Sequence, residues 1–239
     1  MTDWHVHIGQ WFDTYYNAEN VFAELKAVGI DEVWFSSTTS CRYCKESFAV
    51  QNDAAMQETL PTAHELYELI RYEVQEALTT ADRLGIKAHA LYWVVPELHF
   101  SGATDVADAM EELPYEGFKI HPRGNPWHLE DKKTAELAEE VFAYAENNNK
   151  LVLVHCGEGI FELPTVFEPY IAVHSGCTVQ LAHCRPLKET LYMLGKYPNT
   201  VCDTAFTPSE VQNAVRSAGF AERMRYGTDY PVSKLWEQK

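Results

Sequence analysis

Two imidazoles two residues apart, His5 and His7, and a carboxylate near the far end of the chain, Asp229 in Tyr226-Gly-Thr-Asp-Tyr-Pro231, are the donor types that zinc and similar divalent ions take. Two more histidines close strand-like runs: His155 in LVLVH (151–155) and His183 in VQLAH (179–183). Alternate residues of an extended strand face one side, so His5 and His7 project together, with Asp3 on their face and placed to orient an imidazole. Each group also has a plain reading. His155 or His183 alone fits a hydrogen-bonded core histidine, and Asp229 fits a turn or helix-capping carboxylate ahead of Pro231. Five ligand-type residues, all at the ends of strand-like runs, point instead to a metal held for chemistry.

The elements that must position these groups alternate along the whole chain. Strand-like runs occupy 3–8, 31–37, 86–95, 115–121, 150–155, 178–183, 199–204 and 223–229. Helical patterns fill 17–28, 62–84, 104–113, 131–148, 161–175, 187–196, 208–218 and 232–239. Val21, Leu25 and Val28 supply the apolar face of the first helix, ahead of Gly29. Leu66, Leu69, Ile70, Val74 and Leu78 supply that of the second, between a capping Thr62 and Gly85. Strict β–α alternation in eight units predicts an α/β fold, a (β/α)8 TIM barrel spanning 1–239 as a single domain. In that register His5, His7, Lys119, His121, His155, His183, Asp203 and Asp229 fall at C-terminal strand ends, the face where barrel active sites lie. The segment 38–60 is long for a βα loop and reads as a wall or cover on that catalytic face.

Composition narrows the function. The 239 residues carry 35 acidic and 19 basic side chains, a formal net charge of −16, which opposes binding to nucleic-acid phosphates. At 46% apolar the chain supports one large core, and no apolar run is long enough to span a bilayer. No leader pattern precedes the first motif, so a cytoplasmic protein is expected. The six cysteines read as reduced thiols, including Cys41 and Cys44 of a C-x-x-C that lacks the further ligands of a zinc ribbon. The partners implied are a small-molecule substrate, with no nucleic acid and no membrane; a homo-oligomer remains open.

HVH on the first strand, GFKIHP on the fourth, VHCGE on the fifth, AHCRP on the sixth and GTDYP on the eighth together resemble the amidohydrolase superfamily, most closely its amidohydrolase-related branch of hydrolases, lactonases and decarboxylases. The resemblance extends over about residues 2–233. It implies a distorted barrel with one divalent ion, zinc or similar, in its mouth. It makes His5, His7, His155 and Asp229 the metal ligands, and His183 and Asp229 the catalytic acid/base groups. Lys119 has two expected roles: a cation that binds a substrate carboxylate, or a carboxylated lysine bridging a second metal ion.

His121, Arg123 and Arg185 flank these strand ends and suit an anionic substrate; Arg42 lies in the long second loop. Trp11, Phe12, Tyr15, Tyr16 and Trp93 are available as pocket walls. The function expected is a metal-dependent hydrolase of a small, anionic amide, ester or lactone acting through a metal-activated water. The alternatives are a non-oxidative decarboxylase or hydratase on the same scaffold, and a non-catalytic metal-binding barrel. Elemental analysis of the purified protein is expected to return about one divalent ion per chain. Two ions with a modified Lys119 would establish the bridged form instead.

Overall fold

All eight strand-like runs form strands of one parallel sheet in the computed structural model of the protein, which describes residues 1–11, 14–42 and 60–237. In chain order the elements are β1 (Thr2–Trp11), β2 (Thr14–Tyr16), α1 (Ala18–Ala27), β3 (Glu32–Ser37), α2 (Ala63–Leu84), β4 (Lys87–Trp93), α3 (Pro96–Phe100), α4 (Val106–Glu112) and β5 (Tyr115–Ile120). Then come α5 (Lys132–Asn147), β6 (Leu151–Val154), α6 (Glu168–Val173), β7 (Thr178–Leu181), α7 (Leu187–Lys196), β8 (Thr200–Asp203), α8 (Ser209–Val215), β9 (Met224–Arg225) and α9 (Val232–Glu237). The sheet order is β2-β1-β3-β4-β5-β6-β7-β8-β9, with only the β1–β2 hairpin antiparallel.

The sheet closes on itself. Residues 226–230, which continue β9, lie beside β1: Trp4 N donates to Tyr226 O (2.9 Å), Asp229 N to His5 O (2.8 Å) and His7 N to Tyr230 O (2.8 Å), with a parallel bridge between Val6 and Tyr230. Asp3 serves this seam. Its carboxylate accepts from Thr228 N (3.1 Å), Thr228 Oγ1 (2.6 Å) and His5 N (3.1 Å), so it fastens strand to strand and orients no imidazole ring. Burial raises its pKa to about 6, against the opposing pull of the Thr228 and His5 bonds.

The barrel interior below the site is filled. Leu91, Leu151, Leu153 and Ala182 pack with Trp4 and Trp34. A column of flat groups crosses this floor: Arg225 lies 3.8 Å over the Trp4 ring, Trp4 stacks on Trp34 at 4.8 Å, and Trp34 stacks on His89 at 4.3 Å. The main core lies outside the strands, where Val33, Phe35, Val152, Val154, Val179 and Leu181 meet helix residues such as Phe22, Leu66, Val141 and Phe142.

Helix ends follow local chemistry. Thr62 and Glu65 form a reciprocal capping box at the start of α2, and Gly85 ends it in the left-handed conformation (φ +65°). The apolar faces differ from expectation at two positions. Val28 is 72% exposed, and Phe22 takes its place against the core, because α1 ends one residue earlier. Leu69 sits on the rim of the α2 stripe and is 38% exposed, while Leu66, Ile70 and Val74 are buried. The run 161–175 divides into a 3₁₀ turn, Pro164–Phe167, and the shorter α6; α8 passes into a π-helical turn, Arg216–Phe220. The β2 hairpin and α3 carry too few residues for a periodic signal. Of the segment 38–60, residues Thr38–Arg42 form a 3₁₀ turn. Residues 43–59, including Cys44, lie outside the described residues, as do Phe12 and the Arg42 side chain. Thr62→Ala is expected to cost about 1 kcal/mol and to lower the melting temperature by roughly 2–4 °C, read by thermal circular dichroism.

Candidate metal centre and cavity

The barrel seam brings three expected ligands together. His5 Nε2, His7 Nε2 and Asp229 Oδ1 lie within 4.8 Å of one another, all buried. Asp229 Oδ1 is 2.9 Å from His7 Nε2 and 3.4 Å from His5 Nε2. The far side of each ring is tethered. His5 Nδ1 faces Asp203 Oδ2 at 3.1 Å, and His7 Nδ1 meets Ser36 Oγ at 3.1 Å. The Asp203 carboxylate is ionised, its pKa held at about 2: burial acts upward, and the His5 and His183 contacts outweigh it. An ionised carboxylate only accepts, so the proton of His5 sits on Nδ1, and its Nε2 lone pair accepts from Lys119 Nζ at 2.9 Å. Burial lowers the His7 imidazole to about 4, so that ring is neutral, and its one proton sits on the Nε2 that faces the ionised Asp229 oxygen, where a bound ion would replace it. Burial alone would raise the Asp229 pKa, but the adjacent His5 and His7 hold it well below the usual carboxylate range. Two oriented imidazole nitrogens and one ionised oxygen are a donor set that fits a divalent ion.

Asp203 was visible in the sequence only as an acid at a strand end, and the structure makes it the organiser of the site. Oδ2 accepts from His5 Nδ1 and Gln180 Nε2 (2.8 Å); Oδ1 accepts from the backbone N–H of His183 (3.0 Å) and of Ala205 (3.1 Å). Its oxygens also lie within ligand range of His5 and His183, but four donors already satisfy them. His183 has φ +70°, a costly conformation for a side chain with a Cβ, and its bond to Asp203 helps to hold it there.

His155 stands one ring further along and joins neither ligand cluster among the described residues. His183 Nδ1 faces the Ala205 carbonyl at 3.0 Å and therefore carries the proton, and its Nε2 faces His155 Nδ1 at 3.1 Å. His155 Nε2 faces Glu162 Oε2 at 3.3 Å. Burial drives His155 well below its ordinary value and His183 to about 3, so both rings rest neutral. Lys119 is fully buried with Nζ 2.9 Å from His5 Nε2 and 5.7 Å above the Trp93 ring. Burial lowers its ammonium to about 8, against the upward pull of Asp229 and Asp203.

A cavity of about 370 Å³ opens above these groups. His7, His155 and Asp229 form its base, Trp11, Trp93, Phe206 and Val232 its apolar walls, and His121, Arg123 and Arg185 its polar side. Arg185 Nε donates to Cys156 O at 3.1 Å, which fixes the guanidinium against the β6 end; its terminal nitrogens have no partner among the described residues. Cys41, Cys156, Cys177, Cys184 and Cys202 are buried and form no disulfide among the described residues.

An eight-stranded parallel barrel with His and Asp donors converging at its C-terminal mouth defines the amidohydrolase type of TIM barrel. The chain belongs to the amidohydrolase family: the model of its second group, described as Amidohydrolase, matches residues 45–239. That span includes His155, His183 and Asp229 and leaves His5 and His7 outside. A comparison with curated proteins finds no match. Among solved structures, a 2,6-dihydroxybenzoate decarboxylase complexed with 2,6-dihydroxybenzoate is 11% identical with a TM-score of 0.58, over 100% of this chain and 92% of that one. An amidohydrolase II is 12% identical with a TM-score of 0.57, over 98% and 88%. The 5-carboxyvanillate decarboxylase of Novosphingobium aromaticivorans, complexed with manganese and 4-hydroxy-3-methoxy-5-nitrobenzoic acid, is 11% identical with a TM-score of 0.55, over 91% and 71%. Identities this low establish the shared fold and nothing finer.

Asp203→Asn is expected to weaken divalent-ion affinity by roughly 10- to 100-fold, read by competition with a chromogenic chelator, in a chain that keeps its far-ultraviolet circular dichroism. Unchanged affinity would show that His5 is oriented without it.

Proposed function

We propose that this protein is a metal-dependent hydrolase of a small anionic amide, ester or lactone. The observation that carries this reading is the convergence of His5 Nε2, His7 Nε2 and Asp229 Oδ1 at the base of a cavity whose side bears Arg123 and Arg185. His5, His7 and Asp229 would hold the ion, with His155 as the expected fourth ligand. A divalent ion there supplies Lewis acidity, acidifying water and polarising a carbonyl oxygen. Asp229, ionised and open to the cavity, accepts the proton that water gives up on attack. His183, whose bare Nε2 can only accept, orients the attacking water. Arg185, with Arg123 beside it, binds the substrate's anionic group away from the reacting bond, and Lys119 adds a buried positive charge below it.

A decarboxylase is the second reading, and a specific feature favours it. Trp11, Trp93 and Phe206 give the cavity flat apolar walls next to its guanidinium groups, a shape that takes a planar carboxylate. The two decarboxylases of similar fold act on such acids. A substrate panel of lactones, N-acyl amino acids and aromatic carboxylates, assayed for acid release and for carbon dioxide, separates the two reactions. Acid release without carbon dioxide is the expected result; stoichiometric carbon dioxide would replace hydrolysis with decarboxylation.

Variants test the assignments. His5→Ala and Asp229→Ala are expected to lose most of the bound ion and remain folded, and His155→Ala decides whether that residue ligates. His183→Asn is expected to keep both ion and melting temperature and to lose on the order of 100-fold in turnover. Loss of the ion along with turnover would make His183 a ligand.

A further inference from the structure

The turn after β5 sets a glycine against an imidazole. Gly124 N donates to His121 Nδ1 at 2.9 Å. A backbone N–H can only donate, so Nδ1 is the bare nitrogen and the proton of the neutral ring sits on Nε2. The close approach requires a residue without a Cβ: one at position 124 would lie 2.7 Å from Cys41 Sγ and 3.2 Å from His121 Nδ1. The ring cannot easily turn away. It is stacked between Trp93 (5.1 Å, 7°) and His155 (3.8 Å, 14°), and Trp93 is itself pinned by its Nε1 donating to Asn125 Oδ1 at 2.8 Å. His121 Nε2 has no hydrogen-bond partner among the described residues and is not among their sealed, unsatisfied polar atoms. The ring lines the cavity beside His7, Arg185 and Asp229.

We propose that His121 is a fixed, neutral hydrogen-bond donor whose Nε2–H meets the substrate oxygen on which negative charge builds. The assignment rests on the catalytic reading of the cavity and gives His121 a role separate from proton transfer, because its other nitrogen is occupied by the backbone. The donor is already aimed before substrate arrives, and it strengthens only as the oxygen gains charge, which is the condition for lowering a barrier instead of tightening ground-state binding. Arg185 supplies the net positive charge in the same cavity, and His121 supplies direction.

The test begins with the protein as purified, labelled with ¹⁵N-histidine. A long-range proton–nitrogen spectrum, with His121 assigned by the signal that His121→Phe lacks, is expected to show a protonated Nε2 and a bare Nδ1. A proton on Nδ1 overturns the proposal. Benzoate then serves as a flat carboxylate probe. It is expected to shift the His121 Nε2 signal, and to bind about 10-fold more weakly to His121→Phe, which keeps a stacked ring but has no N–H. Benzoate binding that is absent, or equal in the two proteins, also overturns the donor role. If the tautomer and the benzoate difference hold while no metal-dependent hydrolysis is found, the reaction assignment falls and the donor role of His121 stands.

Discussion

The seam between β1 and residues 226–230 is the constraint on which the rest of this structure depends. Three backbone hydrogen bonds and the Asp3–Thr228 pair close the barrel there, and the same contact puts Asp229 beside His5 and His7. Asp3 and Thr228 are 225 positions apart in sequence, so the ligand set exists only when every intervening β–α unit has added its turn of the cylinder. Asp229 sits at φ +57°, a conformation held by its own backbone bond to His5 O. Closure of the barrel and assembly of the site are therefore one event.

Around that seam a buried polar network takes over from apolar packing. Asp203 is ionised at zero exposure because four donors converge on it, two of them backbone amides, one from the turn after β7 and one from the turn after β8. Its negative charge fixes the His5 proton on the far side of the ring and leaves a lone pair facing Lys119 Nζ. Gly124 does the reverse for His121, leaving its proton toward the cavity. Two imidazoles of similar burial thus present opposite faces, acceptor and donor, each determined by what stands behind it.

Much of this was legible in the sequence, for identifiable reasons. A barrel strand carries its chemistry at the C-terminal end of a short apolar run, so LVLVH and VQLAH announce both the strand and the residue it presents. The Thr62–Glu65 pair and Gly85 mark the bounds of α2 through purely local bonds. What escaped was relational. Nothing in NTVCDT distinguishes Asp203 from a turn acid, because its donors come from β1, β7 and the turns beyond. Glu162 falls in the run 161–175 that reads as helix, but the helical turns begin only at Pro164, and its carboxylate reaches His155 instead. Asp3 shares a strand face with the histidines, but the neighbouring strand supplied Thr228 as a better donor. Val28 reads as apolar face and lies in water because its helix has already ended.

The filled floor of the barrel has a consequence for traffic. Among the described residues, Trp4, Trp34 and the leucines fill the cylinder beneath the site, and the Arg225–Trp4–Trp34–His89 column braces that plug from one wall toward the other. The chamber is closed at its floor. A product that keeps the substrate's anionic group must back out past the same guanidinium that drew the substrate in, and until it does the next molecule waits outside. The grip of Arg185 therefore acts in both directions: a tighter hold speeds capture and slows departure, so turnover favours an intermediate strength over the strongest one.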